Sequence, residues 1–484
     1  MGRRGWPIFF FLLFLAVQGR GQQSAPVDCN QILAWMSGGI SPRQIVHLVQ
    51  QRGESLSLDP KSSQTLTAAG FGPEWTAKLV SPQSTTPLGH ACSDVLARAS
   101  SFVQAKNYLQ AERQLRQALT AAPQDSALHF ALGNVLQQEE DWDGAFDEYS
   151  AANDLLPGFA ETHARLAYLL YRSDDGDNTI AEARTALSLD PGNPEAYRYL
   201  GLGFFAQGRY EAALNAFRHS LASEPDSPET YYDLGITQRA KGDFPSAIAA
   251  YRKALSLKPD LWEAHSNLAV VLHDLGRLDQ AVDEYRQAKR LAPGEPAIRN
   301  NLGNTYCDKG AYDAAIAEFH DLYRISPGWQ GGHGCLAQAY MAKSDYSSAI
   351  TELRAALLQN PNGAVEHRAL GQAFLMANRP AEALPELRTA VALDGDSPAA
   401  HHLLATALFE TEDFNGALLE FRQVVQLDPT AENHYYLAAC FIRLNRDDEA
   451  LAELEIASRL EPSQPRYRAR KEELLKLMHA DPRQ

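Results

Sequence analysis

The chain has 484 residues, and its 60 acidic side chains outweigh 44 basic ones for a net charge of −16. Nucleic-acid phosphates call for a basic face, so this balance argues against that class of partner and reads as a solvated acidic surface. Met1 to Gly21 reads as a secretory signal. Arg3 and Arg4 form its positive start, Ile8 to Val17 its apolar core, and Val17-Gln18-Gly19 its cleavage site, with Gly19-Arg20-Gly21 a weaker alternative. The apolar run is too short for an ordinary spanning helix. The expectation is an exported chain, periplasmic or secreted after cleavage, with no membrane span in the mature form.

Residues 28–88 form a separate small helical segment. Ser41-Pro42 pairs an N-cap with a first-turn proline and predicts a helix carrying Ile45, Leu48 and Val49. Asp59-Pro60 opens another, with Leu66 and Ala69 on one side and Gly70 ending it. Pro73 to Leu79 predicts a third, anchored by Trp75, and Ser81 to Pro87 is a linker. No motif assigns this segment an activity. Two readings stay open, a cap for the repeats beyond the linker or an independent binding module.

From Cys92 to about Gln464 one unit returns every 34 residues, eleven times. Pro228 to Asp260 shows it most clearly as two amphipathic helices. Tyr231, Leu234, Gly235 and Gln238 share one face of the first, and Ala247, Tyr251 and Ala254 share one face of the second. Gly242 stands where a helix needs a left-handed residue to stop. With Ala247 numbered position 20, position 8 is Gly or Ala in every copy, and position 20 is Ala except for Thr179. Position 32 is Pro except for Gly395. Small residues let paired helices approach, and proline cannot continue the second helix. Neither helix buries its apolar face alone, so each copy must stack on its neighbours.

This pattern resembles the tetratricopeptide repeat. The resemblance implies an all-α, right-handed superhelical solenoid of about eleven helix pairs over 92–464, closed by a capping helix and tail over 465–484. Tyr467, Leu474, Leu475 and Met478 give that last helix one apolar side. Copy 3 departs in its acidic turn Ser173 to Asn178, which lacks the ligand spacing of a calcium loop and reads as solvated. Copy 8 opens with Gly331, Gly332 and Gly334, which mark a flexible joint or a place where something approaches the backbone closely.

Catalytic chemistry has no visible constellation: there is no phosphate-cradling glycine loop, HExxH helix or GxSxG elbow. The expectation is no enzyme, no cofactor and no metal site. His333 with Cys335, and His401 with His402, lack the spacing of metal ligands and read as packing or solvent. Cys29 and Cys92 are the candidate disulfide, being the only pair outside the repeat cores, while Cys307, Cys335 and Cys440 read as apolar filling.

Positions 5, 9 and 12 share a further face of each first helix. The resemblance implies that this face lines a concave groove holding a peptide or partner protein. Copies 3 to 5 would present Tyr168, Tyr171, Arg198, Phe205, Tyr232 and Arg239, of the types that dominate binding hot spots. A secondary groove over copies 8 to 11 would present Met341, Arg368, Leu375, Phe409 and Tyr435. No lysine stands in the groove, so the carboxylate clamp of chaperone-tail binders does not fit. Asn267 and Asn301 are similar to only two rungs of a glycosyltransferase-type asparagine ladder. The expected function is a protein–protein interaction scaffold of unidentified partner. The alternatives are a cell-envelope structural protein that binds glycan or lipid, or a regulatory subunit of an enzyme complex.

Overall fold

The computed structural model describes residues 27–51, 58–79 and 92–480. The signal-like segment Met1 to Gly21 and the linker Ser81 to Pro87 lie outside the described residues. Those described contain 27 helices and no strand. The fold is all-α, built of consecutive helix hairpins, and its contacts divide it into two compact units at Pro225 and Asp226. The first unit holds the N-terminal segment and copies 1 to 4. The second holds copies 5 to 11 and the helix Pro465–Ala480. No described helix is long and apolar enough to cross a membrane.

Each copy is a helix A and a helix B. In copy 5 these are Pro228–Ala240 and Phe244–Leu257. The Ser227 side chain accepts from Thr230 N and the Asp243 side chain from Ser246 N, so both helices begin on a side-chain cap followed by proline in the first turn. Between them the chain reverses at position 15, which has positive φ in all eleven copies. Only Gly208, Gly242, Gly276 and Gly310 are glycine there, so seven copies accept a strained residue such as Lys106 or Glu412. Position 20 has no exposed surface in any copy, Thr179 included. Position 8 is tighter still where position 24 is large: a Cβ on Gly235 would lie 2.6 Å from the Tyr251 ring, and one on Gly201 2.5 Å from Phe217. These contacts set the distance between A and B.

The N-terminal segment has four helices, α1 (Cys29–Ser37), α2 (Pro42–Gln51), α3 (Pro60–Ala68) and α4 (Pro73–Leu79). The sequence predicts the last three and misses α1. Seven of its nine residues are buried, so it has no polar face to give the helical period a contrast. Asp28 caps it, its side chain accepting from Gln31 N. Cys29 is disulfide-bonded to Cys92, with Cα atoms 5.2 Å apart, which fixes the start of α1 to the start of copy 1.

Two cysteines depart from the sequence reading. Cys307 and Cys335 are bonded to each other, with Cα atoms 6.1 Å apart, and only Cys440 is free. The A helices of consecutive copies lie side by side, so position 12 of copy 7 meets position 6 of copy 8. Helix A of copy 8 is also short, 10 residues (His333–Ala342) against 13 in copy 7. Gly332 precedes it at φ 93°, where a Cβ would lie 2.2 Å from the Phe319 ring. Gly332 thus marks a close approach, by the ring of the preceding copy, while a Cβ on Gly334 would meet nothing within 4 Å.

Candidate partner-binding face

In the first unit the face carrying positions 5 and 9 is already used in copies 1 and 2. Helix α1 packs there against both A helices. Phe130, at position 5 of copy 2, has no exposed surface and meets Phe159 edge-on at 5.3 Å, and Trp35 of α1 stacks on Phe159 at 5.7 Å. A Cβ on Gly38 would lie 2.4 Å from Phe130, so the chain leaving α1 lies directly on that ring. Asn134, at position 9, donates from Nδ2 to the Ser37 carbonyl at 3.0 Å. Helix α1 of the N-terminal segment thus packs on the first two repeats.

Beyond α1 the same face carries the residues singled out in copies 3 and 4. Tyr168 is half-buried and sits between two rings, Trp142 at 6.5 Å and Tyr199 at 5.5 Å, so it is a packing residue. Arg198 lies over the Tyr199 ring at 5.8 Å. Tyr171 and Phe205 are half-buried and together line one open hollow with Arg172, Asp174 and Ala206. The A helices of copies 3 and 4 also carry a buried charged cluster, whose acids Glu161 and Glu195 read from sequence only as first-turn acids suited to the helix dipole. Arg165 Nη2 is 3.5 Å from Glu195 Oε1. Glu161 is 5% exposed, and its Oε2 has no hydrogen-bond partner. Burial, reinforced by Asp190 and Glu195, pushes the Glu161 carboxyl up to about 7 against the opposing Arg165.

In the second unit, Tyr232 and Arg239 are joined through Asn267. Asn267 Nδ2 donates to the Tyr232 hydroxyl at 2.9 Å, and Arg239 Nη1 donates to Asn267 Oδ1 at 3.1 Å. Burial, with Asp233 and Glu263 nearby, pushes the Tyr232 phenol up to about 12. Asn301 accepts from Asn300 and also bonds a tyrosine side chain, that of Tyr285 in the preceding copy. Of the secondary set, Met341, Leu375, Phe409 and Tyr435 are partly buried against the core of copies 8 to 11, and Arg368 is half-buried. Phe409 packs edge-on to Phe414 at 5.2 Å, under the Arg443 guanidinium at 5.6 Å. Tyr435 meets Tyr467 of the last helix at 5.5 Å and lines a hollow with Ile442 and Arg466.

The largest pattern missed from sequence is a histidine at position 4 paired with a glutamate at position 23. Seven copies have it, as His129–Glu148, His163–Glu182, His265–Glu284, His333–Glu352, His367–Glu386, His401–Glu420 and His434–Glu453. In each the ring Nδ1 is 2.5–2.8 Å from the carboxylate. The signal was present as a His–Glu separation of 19 recurring in register, but position 4 reads as core when copies are aligned by their small residues. His402, beside one of these, is different. It packs edge-on to Phe421 and Tyr436, and burial lowers its pKa.

Family comparisons agree with this geometry. A model described as tetratricopeptide repeat matches residues 96–158, 232–296 and 336–398. A second of the same description matches 194–260, and a third matches 374–432 and 408–474. No curated protein matches the chain. Among solved structures, the crystal structure of MamA is 26% identical, covering 34% of this chain and 95% of that one, with a TM-score of 0.29. The APC/C hetero-tetramer Cut9-Hcn1 is 16% identical over 78% of this chain and 75% of that one, with a TM-score of 0.43. Yeast Tom70 is 15% identical over 80% and 96%, with a TM-score of 0.32.

Proposed function

We infer, from the premise that the chain belongs to the tetratricopeptide repeat family, that it is a non-catalytic scaffold holding a partner protein on the A-helix face. One observation carries this reading: helix α1 of the chain itself already lies on that face in copies 1 and 2. Its Trp35 ring stacks on Phe159, which meets the inner-face ring of Phe130, and an inner-face amide takes up its terminal carbonyl. A partner segment would bind by the same means on the next stretch, where Tyr171 and Phe205 offer ring surface and Arg198 a planar donor. Tyr232 and Arg239, tied to Asn267, present an ordered polar patch of the kind that meets peptide backbone.

The test is a titration with the partner that the mature chain retains from an envelope extract. Tyr171→Ala and Arg198→Ala should each weaken binding by about 2 kcal/mol if they are hot spots. Lys253→Ala, on the exposed side of helix B in copy 5, should change almost nothing. Loss with Phe409→Ala alone would move the site to copies 8 to 11, and loss with none of them would remove the groove reading.

Export belongs to the same proposal. The Arg3-Arg4 start and the apolar core after it support it, as does a chain carrying two disulfides, which persist in oxidising compartments. N-terminal sequencing of the mature protein should begin near Arg20 or Gln22. An intact Met1 chain in the soluble cytosol would end the proposal.

A further inference from the structure

The histidine at position 4 has a second neighbour. In five of the seven pairs its Nε2 faces the backbone carbonyl that closes the preceding copy, at 3.0–3.2 Å: Pro123, Pro157, Pro259, Pro361 and Gly395 for His129, His163, His265, His367 and His401. A carboxylate and a carbonyl both accept, so a ring that bonds both at once donates from both nitrogens, which only the imidazolium does. Two other places fill the same position with a permanent cation. In copy 7 Arg299 reaches Glu318 at 3.3 Å and the Pro293 carbonyl at 3.4 Å. On the last helix Arg468 donates to the Pro462 carbonyl at 2.6 Å. In copy 7 a permanent cation thus ties helix A to helix B of its own copy and to the end of the copy before, the same two contacts that five of the histidines make.

We propose that His163 and His265 are proton-loaded rungs, in which the bound proton ties helix A to helix B of its own copy and to the end of the copy before, and its loss loosens that joint. The device goes beyond partner binding and does not depend on it. For His163 the facing groups are Glu182 and the Pro157 carbonyl, and the hydrogen bond to Glu182 raises its pKa against the effect of burial. For His265 they are Glu284, the Pro259 carbonyl and, opposing, Arg290. The Glu284 hydrogen bond again raises the pKa. The facing acids of the other rings are Glu148, Glu352, Glu386, Glu420 and Glu453, and His333 also meets the Tyr323 hydroxyl at 3.2 Å.

A folded-state pKa raised above the unfolded value of about 6.5 gives stability that is complete below that value. It is lost as pH rises through the folded value. Glu161 works in the same sense, since its raised carboxyl also favours the protonated fold. It shares the first turn of helix A with His163, so copy 6 with His265 is the cleaner rung. His402, lowered, works in the opposite sense.

The experiment compares the mature full chain with H265R and with a double variant in which His163 and His265 both become arginine, the residue copy 7 already uses. The wild-type melting temperature should fall between about pH 6 and about pH 8, and the fall should shrink with H265R and shrink further in the double variant. Ring carbon NMR should show His265 titrating above about 6.5. A flat or rising wild-type curve would overturn the proposal, as would an unchanged slope in the double variant or a His265 ring titrating at or below the ordinary value. If the double variant does not fold, the His265 titration and the H265R slope decide the question.

Discussion

Asn134 on helix A of copy 2 donates its amide to the Ser37 carbonyl at the end of α1, 97 residues earlier and out of solvent. The orphan carbonyls of a buried helix end need a partner, and here an inner-face side chain supplies it. Asn134→Leu fills the same space and leaves that carbonyl unsatisfied. The expected cost is about 1–3 kcal/mol, read by urea unfolding with hydrogen exchange over Cys29–Ser37. Exchange unchanged along α1 would mean that the amide does not hold the helix in place.

Gly235 and Ala247 define the spacing inside copy 5. Ala247 has no exposed surface, so Ala247→Leu overpacks the hairpin at a cost of roughly 1–3 kcal/mol. Gly235→Ala would bring a Cβ to 2.6 Å from the Tyr251 ring and should destabilise as well. Because each copy stacks on its neighbours, the loss should reach copy 6 in exchange data. An unchanged melting curve for Ala247→Leu would refute the assigned register.

The reversal between helices offers a gain. Glu412 stands at φ 65° where Gly242, at φ 80°, does the same work in copy 5. Glu412→Gly should stabilise by about 1 kcal/mol, and Gly242→Ala should cost a similar amount, both measured by thermal unfolding. Equal melting temperatures for all three chains would show that neighbouring contacts, rather than this dihedral, set the turn.

The bond between Cys307 and Cys335 spans the joint where helix A of copy 8 has lost its first turn. Cys307→Ser with Cys335→Ser removes a loop closure worth about 3 kcal/mol. Hydrogen exchange in His333–Ala342 should then be faster under non-reducing conditions, with a non-reduced digest confirming the pairing in the parent chain. Two free thiols in that digest would contradict the assignment.

The sequence by itself determined the hairpins, their register and their small-residue seams. These depend on steric rules that act within one copy: a cap, a left-handed turn and two small residues facing a bulky one, as Gly235 faces Tyr251. Repetition multiplied a weak local signal into a clear one, and it also marked positions 5, 9 and 12 as a common face. Tertiary structure decided what lies on that face and between copies. Helix α1 carries no periodic contrast because it is buried almost all round, so only its docking on Phe130 and Asn134 reveals it. Cys307 meets Cys335, and His265 meets the Pro259 carbonyl, across turns that bring one copy against the next. Those contacts depend on the distance between stacked helices, which the residues set only jointly, through the packing of whole copies.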